Sequence, residues 1–147
     1  MFTHILLPSD GSELSEQAID KGIQLAKSIG ARVTGLHVMP EYQVIAYDAM
    51  LPADLISEEQ FREEAQARAD RFLGAIRNAA EAAGVPCDTV TATSDHPWKE
   101  IIKTAQAKGC DLILMSSHGR RGLAGLILGS ETTKILTHTN IPVLVFR

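Results

Sequence analysis

Phe2-Thr3-His4-Ile5-Leu6-Leu7-Pro8-Ser9-Asp10-Gly11-Ser12-Glu13 opens the chain with an apolar run that passes straight into a turn and a helix start. A strand with one wet face alternates apolar and polar residues, whereas a strand covered on both faces reads as a near-continuous apolar run. Phe2–Pro8 is of the second kind and predicts a buried strand of a parallel sheet. Four more short runs rich in Val, Ile or Leu follow it: Arg32–Met39, Val85–Thr93, Asp111–Ser116 and Ile141–Phe146. Each is bounded by Gly, Pro, Asn or Asp.

Helical periods separate these runs. Leu14, Ala18, Gly22, Leu25, Ala26 and Ile29 fall on one predicted stripe, closed by Gly30. Phe61, Ala65, Ala69, Phe72, Ile76, Ala79 and Ala83 form a second, stopped by Gly84 and Pro86. Glu58, Glu59, Glu63 and Glu64 lie towards its amino end, where the helix dipole favours them. Trp98, Ile101, Ile102 and Ala105 make a third stripe ending at Gly109, and a fourth helix is expected from Gly129-Ser130 to His138. The order is therefore βαβ, an irregular stretch from Pro40 to Ser57, then αβαβαβ. Such alternation implies a parallel sheet with helices on both faces and right-handed crossovers. Ligands of such sheets bind outside the carboxyl ends of the strands, where strand order reverses. The Pro40–Ser57 stretch breaks both periods, and a loop of that length serves either as a lid or partner surface or as a plain surface excursion.

Bulk composition narrows the partners. A length of 147 residues fits one domain, with 45% hydrophobic and 22% charged residues, as in ordinary soluble proteins. Aromatics are only 5%, so Leu, Ile, Val and Ala must build the core. A net charge of −4 and a pI near 5.7 argue against nucleic acid, since no basic cluster exceeds Arg120-Arg121. Cys87 and Cys110 have no CxxC spacing and no neighbouring His pair, which suits two reduced cysteines rather than a metal site. No signal peptide and no membrane-spanning run is visible, so a cytoplasmic location is expected.

Two segments carry chemistry. In Pro8–Glu13, Asp10 stands at the carboxyl end of the first predicted strand. A carboxylate there accepts hydrogen bonds from ribose hydroxyls or an exocyclic amine. The same residues also suit capping, with Asp10 or Ser12 at the helix start and Glu13 completing a box. The second segment, Ser116–Ser130, leaves the fourth predicted strand, passes through Gly119, Gly122, Gly125 and Gly129, and opens a helix. Glycines let backbone N–H groups approach an anion, and a helix amino terminus adds donors and a positive dipole end. Phosphate can be cradled there without a lysine. The competing reading is a turn before a capped helix, since Ser130 and Thr132 are ordinary helix-start residues.

These stretches, with Leu36-His37-Val38, Asp111-Leu112-Ile113-Leu114-Met115, Ser117-His118-Gly119, Gly129-Ser130-Glu131-Thr132 and Ile141-Pro142-Val143-Leu144-Val145, occur in a specific order and spacing. Together they make a chain that resembles the universal stress protein family over essentially its whole length. The resemblance implies a single-domain, doubly wound, Rossmann-like α/β fold with a five-stranded parallel sheet of order 3-2-1-4-5 and four helices. It also implies ATP. The ATP-binding branch carries Gly, two residues, Gly, nine residues, Gly, then Ser or Thr. Here the second Gly is Gly119, the third is Gly129 and the hydroxyl residue is Ser130, while Ser116 replaces the first Gly. The added Cβ and hydroxyl are expected to weaken or retune binding rather than abolish it.

By the same resemblance, Pro8, Asp10 and Val38 line the adenine and ribose pocket, and Met115 and Ser116 border the sugar. Gly119, Gly129, Ser130 and Glu131 offer backbone donors to the phosphates, and Ser9, His118, Arg120, Gly122 and Thr132 complete the expected nucleotide-binding set. Arg120 and Arg121 face either the phosphate tail or solvent. Any Mg²⁺ is expected to be carried on the phosphates, because the sequence shows no dedicated carboxylate cage. Pro142 suits the start of an edge strand, and Val143–Phe146 would leave apolar unpaired backbone at that edge. The resemblance implies that two copies pair this strand antiparallel about a two-fold axis, giving a homodimer.

Enzymatic signatures are sparse. There is no GxxxxGK[ST], no GxGxxG after the first predicted strand and no GxSxG elbow at Ser117. Ser117 and His118 are read as pointing to opposite faces and so as no nucleophile–base pair. His4, His37, His96, His118 and His138 lack metal-ligand spacing. The expected function is a dimeric, nucleotide-binding regulatory module of the stress response, with at most weak ATP hydrolysis. The alternatives are a slow ATPase, which lacks a water-positioning base, and a ligand-free dimerisation module, favoured only by Ser116.

Overall fold

The computed structural model describes residues 1–43, 56–119 and 128–147. Strands β1 (His4–Pro8), β2 (Arg32–Met39), β3 (Cys87–Thr93), β4 (Leu112–Ser116) and β5 (Val143–Phe146) form one parallel sheet of order β3-β2-β1-β4-β5. Helices α1 (Glu13–Ile29), α2 (Glu58–Ala83), α3 (Pro97–Lys108) and α4 (Ser130–His138) alternate with them. The expected Rossmann-like α/β architecture and strand order are those observed. The chain winds outward from β1 through β2 to β3, then returns to place β4 on the other side of β1. That reversal opens a crevice at the carboxyl ends of β1 and β4.

Alternation along each strand sends neighbouring side chains to opposite faces. Ile5, Leu7, Val33, Leu112 and Leu114 pack under Ile19 and Ile23 of α1 and Leu73, Ile76 and Ala80 of α2. Leu6, Leu36, Ile113 and Met115 pack under Ile101 and Ala105 of α3 and Ile135 of α4. Ile5, Leu6, Leu7 and Ile113 are completely buried, which explains the unbroken apolar runs. Each such side chain contributes about 1.5–3 kcal/mol relative to exposure. Among the described residues no helix is long and apolar enough to cross a membrane.

Several boundaries differ from the sequence reading, for local reasons. Asp111 does not join β4. Its carboxylate accepts the N–H groups of Thr3 and His4, each at 2.9 Å, and so clamps the start of β1. Val85 donates its N–H to Ala80 O at 2.9 Å and belongs to the turn that closes α2 rather than to β3. Pro142 has no N–H to donate, and pairing as a strand starts at Val143. The predicted stripe of α1 is rotated as well: the buried face is Ser15, Ala18, Ile19, Gly22, Ile23 and Ala26, while Ile29 is 41% exposed. Gly22 lies on this face against the Leu7 side chain, where a Cβ would stand 2.4 Å from Leu7 Cδ2.

A polar cluster lies at the opposite end of the sheet from the crevice. His4 Nε2 meets Thr34 Oγ1 at 2.7 Å, the Thr34 hydroxyl donates to Asp88, and Lys108 Nζ pairs with Asp88 at 2.7 Å. Burial, and then the charge of Arg32, hold His4 below its ordinary 6.5. Burial pushes Asp88 upward, but hydrogen bonds from Lys108 and Thr34 outweigh it and keep the carboxyl below 3.8. For Asp111, burial is likewise outweighed, by the bonds from His4 and Thr3. Burial pushes the Cys110 thiol up to about 11, so it stays protonated.

The sign of the pH dependence follows. Unfolded His4 takes up its proton near 6.5, before folded His4 does, so its contribution is complete above that value and is lost as pH falls through the lower folded value. Asp88 and Asp111 contribute above 3.8 and lose that contribution on further acidification. The urea midpoint is therefore expected to drop between about pH 7.5 and about pH 5, and His4→Gln is expected to flatten that interval. Equal wild-type midpoints at the two pH values would contradict the assignment.

Candidate functional site

The first wall of the crevice is built by the turn after β1. Ser9 N–H donates to Leu36 O at 2.8 Å, which pins the turn to β2. Asp10 Oδ1 accepts the N–H of Ser12 at 2.9 Å, and Gly11 takes φ +74°, passing directly over the ring of Phe72. Ser12 caps α1 by accepting the Ser15 N–H at 3.2 Å. Glu13 is the first residue of α1 rather than the third, so it cannot complete the box expected there. The capping box stands instead at α2, between Ser57 and Gln60.

The second wall is the exit of β4 and the start of α4. Ser117 N–H donates to Phe146 O at 2.7 Å, and Ser117 O accepts the Gly129 N–H at 2.7 Å. The Thr132 hydroxyl lies 3.2 Å from both Ser116 O and Ser117 O. These bonds stitch α4 to the end of β4. Gly129 is the N-cap of α4 and makes no side-chain bond to its first turn. The first N–H groups of a helix have no intrahelical acceptor, so this end carries donors and positive potential. A Cβ at Gly129 would lie 3.1 Å from Ser117 O, so only a residue without one lets the two segments close this far without adjustment.

The two walls meet. A Cβ on Gly119 would stand 2.5 Å from Asp10 Oδ2, so the glycine passes hard against the carboxylate from the other end of the chain. Pro8, Val38 and Met115 share one face of the sheet, Val38 and Met115 with Leu6 and Leu36, and make an apolar flank. Among the described residues, the crevice thus combines a carboxylate, an apolar flank and the amino terminus of a helix. That combination suits a ligand with a planar apolar part, hydroxyl groups and an anionic tail.

Other expected site residues have side chains turned elsewhere. Thr132 is 2% exposed and bonds inward. Glu131 Oε2 accepts the N–H of Trp98 at 2.8 Å, so its carboxylate lies on α3. Ser116 donates its hydroxyl to His118 O at 2.9 Å. Gly129 has its own N–H engaged by Ser117, which leaves the donors to Ser130 and the residues after it. Arg120, Arg121 and Gly122 lie outside the described residues.

The reading of Ser117 and His118 as divergent is corrected: Ser117 Oγ and His118 Nδ1 are 2.9 Å apart. β4 ends at Ser116, so strand alternation does not govern this pair. Ser117 is only 1% exposed, which keeps its hydroxyl away from any substrate. Sequence reasoning also passed over His37 and Phe72 as site supports. His37 Nδ1 donates to Ser9 O at 2.8 Å, and its ring meets Phe72 edge-on at 5.1 Å, bracing the turn from behind. The Asp10-Gly11 pair carries a turn signal, but no local pattern marks Phe72 as the residue beneath it.

Comparison with known proteins bears on this geometry. A model of the universal stress protein family matches residues 1–147. Universal stress protein YxiE of Bacillus subtilis is 31% identical over 150 residues, covering all of both chains. Universal stress protein MJ0577 of Methanocaldococcus jannaschii is 31% identical over 157 residues, covering 100% of this chain and 96% of the relative. Its solved structure superimposes with a TM-score of 0.79 at 28% identity, over 99% of this chain and 96% of that one. Two more distant structures share the fold. A universal stress protein in complex with cAMP has a TM-score of 0.71 at 22% identity, over 99% of this chain and 97% of that one. A family protein from Arabidopsis thaliana with AMP bound has 0.67 at 18%, over 98% and 90%. The full-length family match and the full-length relatives place this chain in the universal stress protein family.

Proposed function

We propose that this chain is an ATP-binding regulatory module of its family, holding the nucleotide at the carboxyl ends of β1 and β4. The observation that carries the reading is the contact of Gly119 with Asp10. Asp10 receives the ribose hydroxyls, Pro8, Val38 and Met115 flank the base, and the amino terminus of α4 receives the phosphates. The described residues fit such a ligand, since the first turn of α4 and the carboxylate of Asp10 border the same crevice. Family members solved with AMP and with cAMP lend the reading chemical support. Ser116 in place of the first motif glycine is compatible with binding, because its hydroxyl is held by His118 O. Mg²⁺, when present, arrives on the phosphates.

The module acts as a homodimer in this reading. Among the described residues β5 lies at the sheet edge and pairs with β4 alone, and Leu144 on it is 42% exposed. Antiparallel pairing of Val143–Phe146 with its copy would cover the apolar edge.

Asp10→Ala is expected to weaken ATP binding by about tenfold to a hundredfold, as for loss of hydrogen bonds to a charged group. Asp10→Asn separates the roles, because its amide oxygen still accepts the Ser12 N–H while the charge is gone. Calorimetric titration checks both, with circular dichroism confirming the fold. Wild-type affinity in Asp10→Ala would remove Asp10 from the site.

A further inference from the structure

α3 begins without a cap of its own. His96 stands at its N-cap position and makes no side-chain bond to the first turn. The N–H of Trp98 donates instead to Glu131 Oε2 at 2.8 Å, across 33 residues of sequence. Glu131 therefore has its backbone in the first turn of α4 and its carboxylate on the amino terminus of a different helix. The other end of α4 reaches the same residue: the His138 ring lies 4.6 Å from the indole of Trp98, tilted by 37°. Lys134 approaches the free side of the Glu131 carboxylate at 3.4 Å.

This arrangement has an electrostatic consequence. A carboxylate two residues past Gly129 would repel an anion seated at the start of α4. Placed against the positive end of α3 and beside Lys134, its charge is compensated. The same bond fixes the first turn of α4 relative to α3, so a load on that turn is carried to Trp98 from both ends of the helix.

We propose that Glu131 is a positioning residue that holds the α4 amino terminus for the nucleotide phosphates and couples occupancy of the crevice to the first turn of α3, with Trp98 as the reporting side chain. The inference rests on the nucleotide reading above. Trp98 is the one tryptophan of the chain, so tryptophan emission reports the surroundings of this side chain alone.

The test titrates ATP into wild type, Glu131→Ala, Glu131→Asp and Glu131→Gln, following heat and Trp98 emission together. In wild type the emission is expected to change and to saturate along the calorimetric curve. Glu131→Ala, and Glu131→Asp with a side chain one methylene short, are expected to lose the emission change and bind about fivefold more weakly. Glu131→Gln keeps an oxygen that accepts the Trp98 N–H, so it is expected to retain both responses within about twofold. A merely structural glutamate would lower the melting temperature of Glu131→Ala and leave affinity and emission change at wild-type values, which would overturn the proposal. ATP heat without any emission change in wild type overturns the coupling and leaves the nucleotide reading standing. No ATP heat in wild type overturns both.

Discussion

Gly129→Val is expected to abolish ATP binding, lowering affinity by at least about a hundredfold while the fold persists. Gly129 has φ −71° and ψ 161°, a backbone any residue adopts, so the effect is steric rather than conformational. The Cβ alone would lie 3.1 Å from Ser117 O and 3.4 Å from His118 Cα, and valine adds two methyl groups to that gap. Either the β4 exit retreats and breaks the 2.7 Å bond from Gly129 N–H to Ser117 O, or the first turn of α4 backs away. Both movements change the spacing between the strand exit and the helix donors that frame the phosphates. Each charge-assisted hydrogen bond misplaced in this way costs about 1.5–3 kcal/mol, so two suffice for the expected loss. Ile135 and Thr132 keep α4 anchored to the core, so circular dichroism is expected to stay unchanged. Gly129→Ala is the graded control, with a loss of about tenfold. Calorimetric binding of Gly129→Val at wild-type affinity would remove the start of α4 from the phosphate site.

Gly11→Ala is expected to cost the largest amount of stability of any single methyl added to the crevice, about 3 kcal/mol. Two effects add. The residue must hold φ +74°, which costs an L-residue roughly 1–2 kcal/mol. The new Cβ would also lie within 2.6 Å of three atoms of the Phe72 ring, which is wedged against His37. Overpacking of this kind costs about 1–3 kcal/mol more. Thermal unfolding is expected to shift down by roughly 6–12 °C. Combining Gly11→Ala with Phe72→Ala removes the clash and leaves the φ cost, so the double variant is expected to lose less than the sum of the singles. Additive losses would show that the ring and Gly11 do not oppose each other.

Five strands and four helices were legible because the local signals agreed. Unbroken apolar runs marked strands covered on both faces, and glycines closed α1, α2 and α3 as read. The strand order came with the family resemblance, since nothing in an isolated run states its neighbour. What the sequence did not reveal is tertiary in origin. The predicted stripe of α1 shares Ala18, Gly22 and Ala26 with the buried face, but that face is completed by Ser15, Ile19 and Ile23, from whose side the sheet approaches, rather than by Leu14, Leu25 and Ile29. Asp111 reads as the first residue of a strand until its carboxylate is seen bonding Thr3 and His4 across the sheet. At the crevice, Asp10, Gly119 and Gly129 stood out through residue type and position. The turning of Glu131 towards Trp98 and of Thr132 towards Ser116 depends on how α3 and α4 pack, which no motif encodes.

The most direct measurement is a calorimetric titration of nucleotide-stripped wild-type protein with ATP, ADP and AMP, each with and without Mg²⁺. The crevice between Asp10 and the start of α4 predicts saturable ATP binding at about one per subunit, weaker for AMP as phosphate contacts are withdrawn. Absence of heat with millimolar ATP would contradict nucleotide binding and favour a ligand-free module that works through its β5 edge.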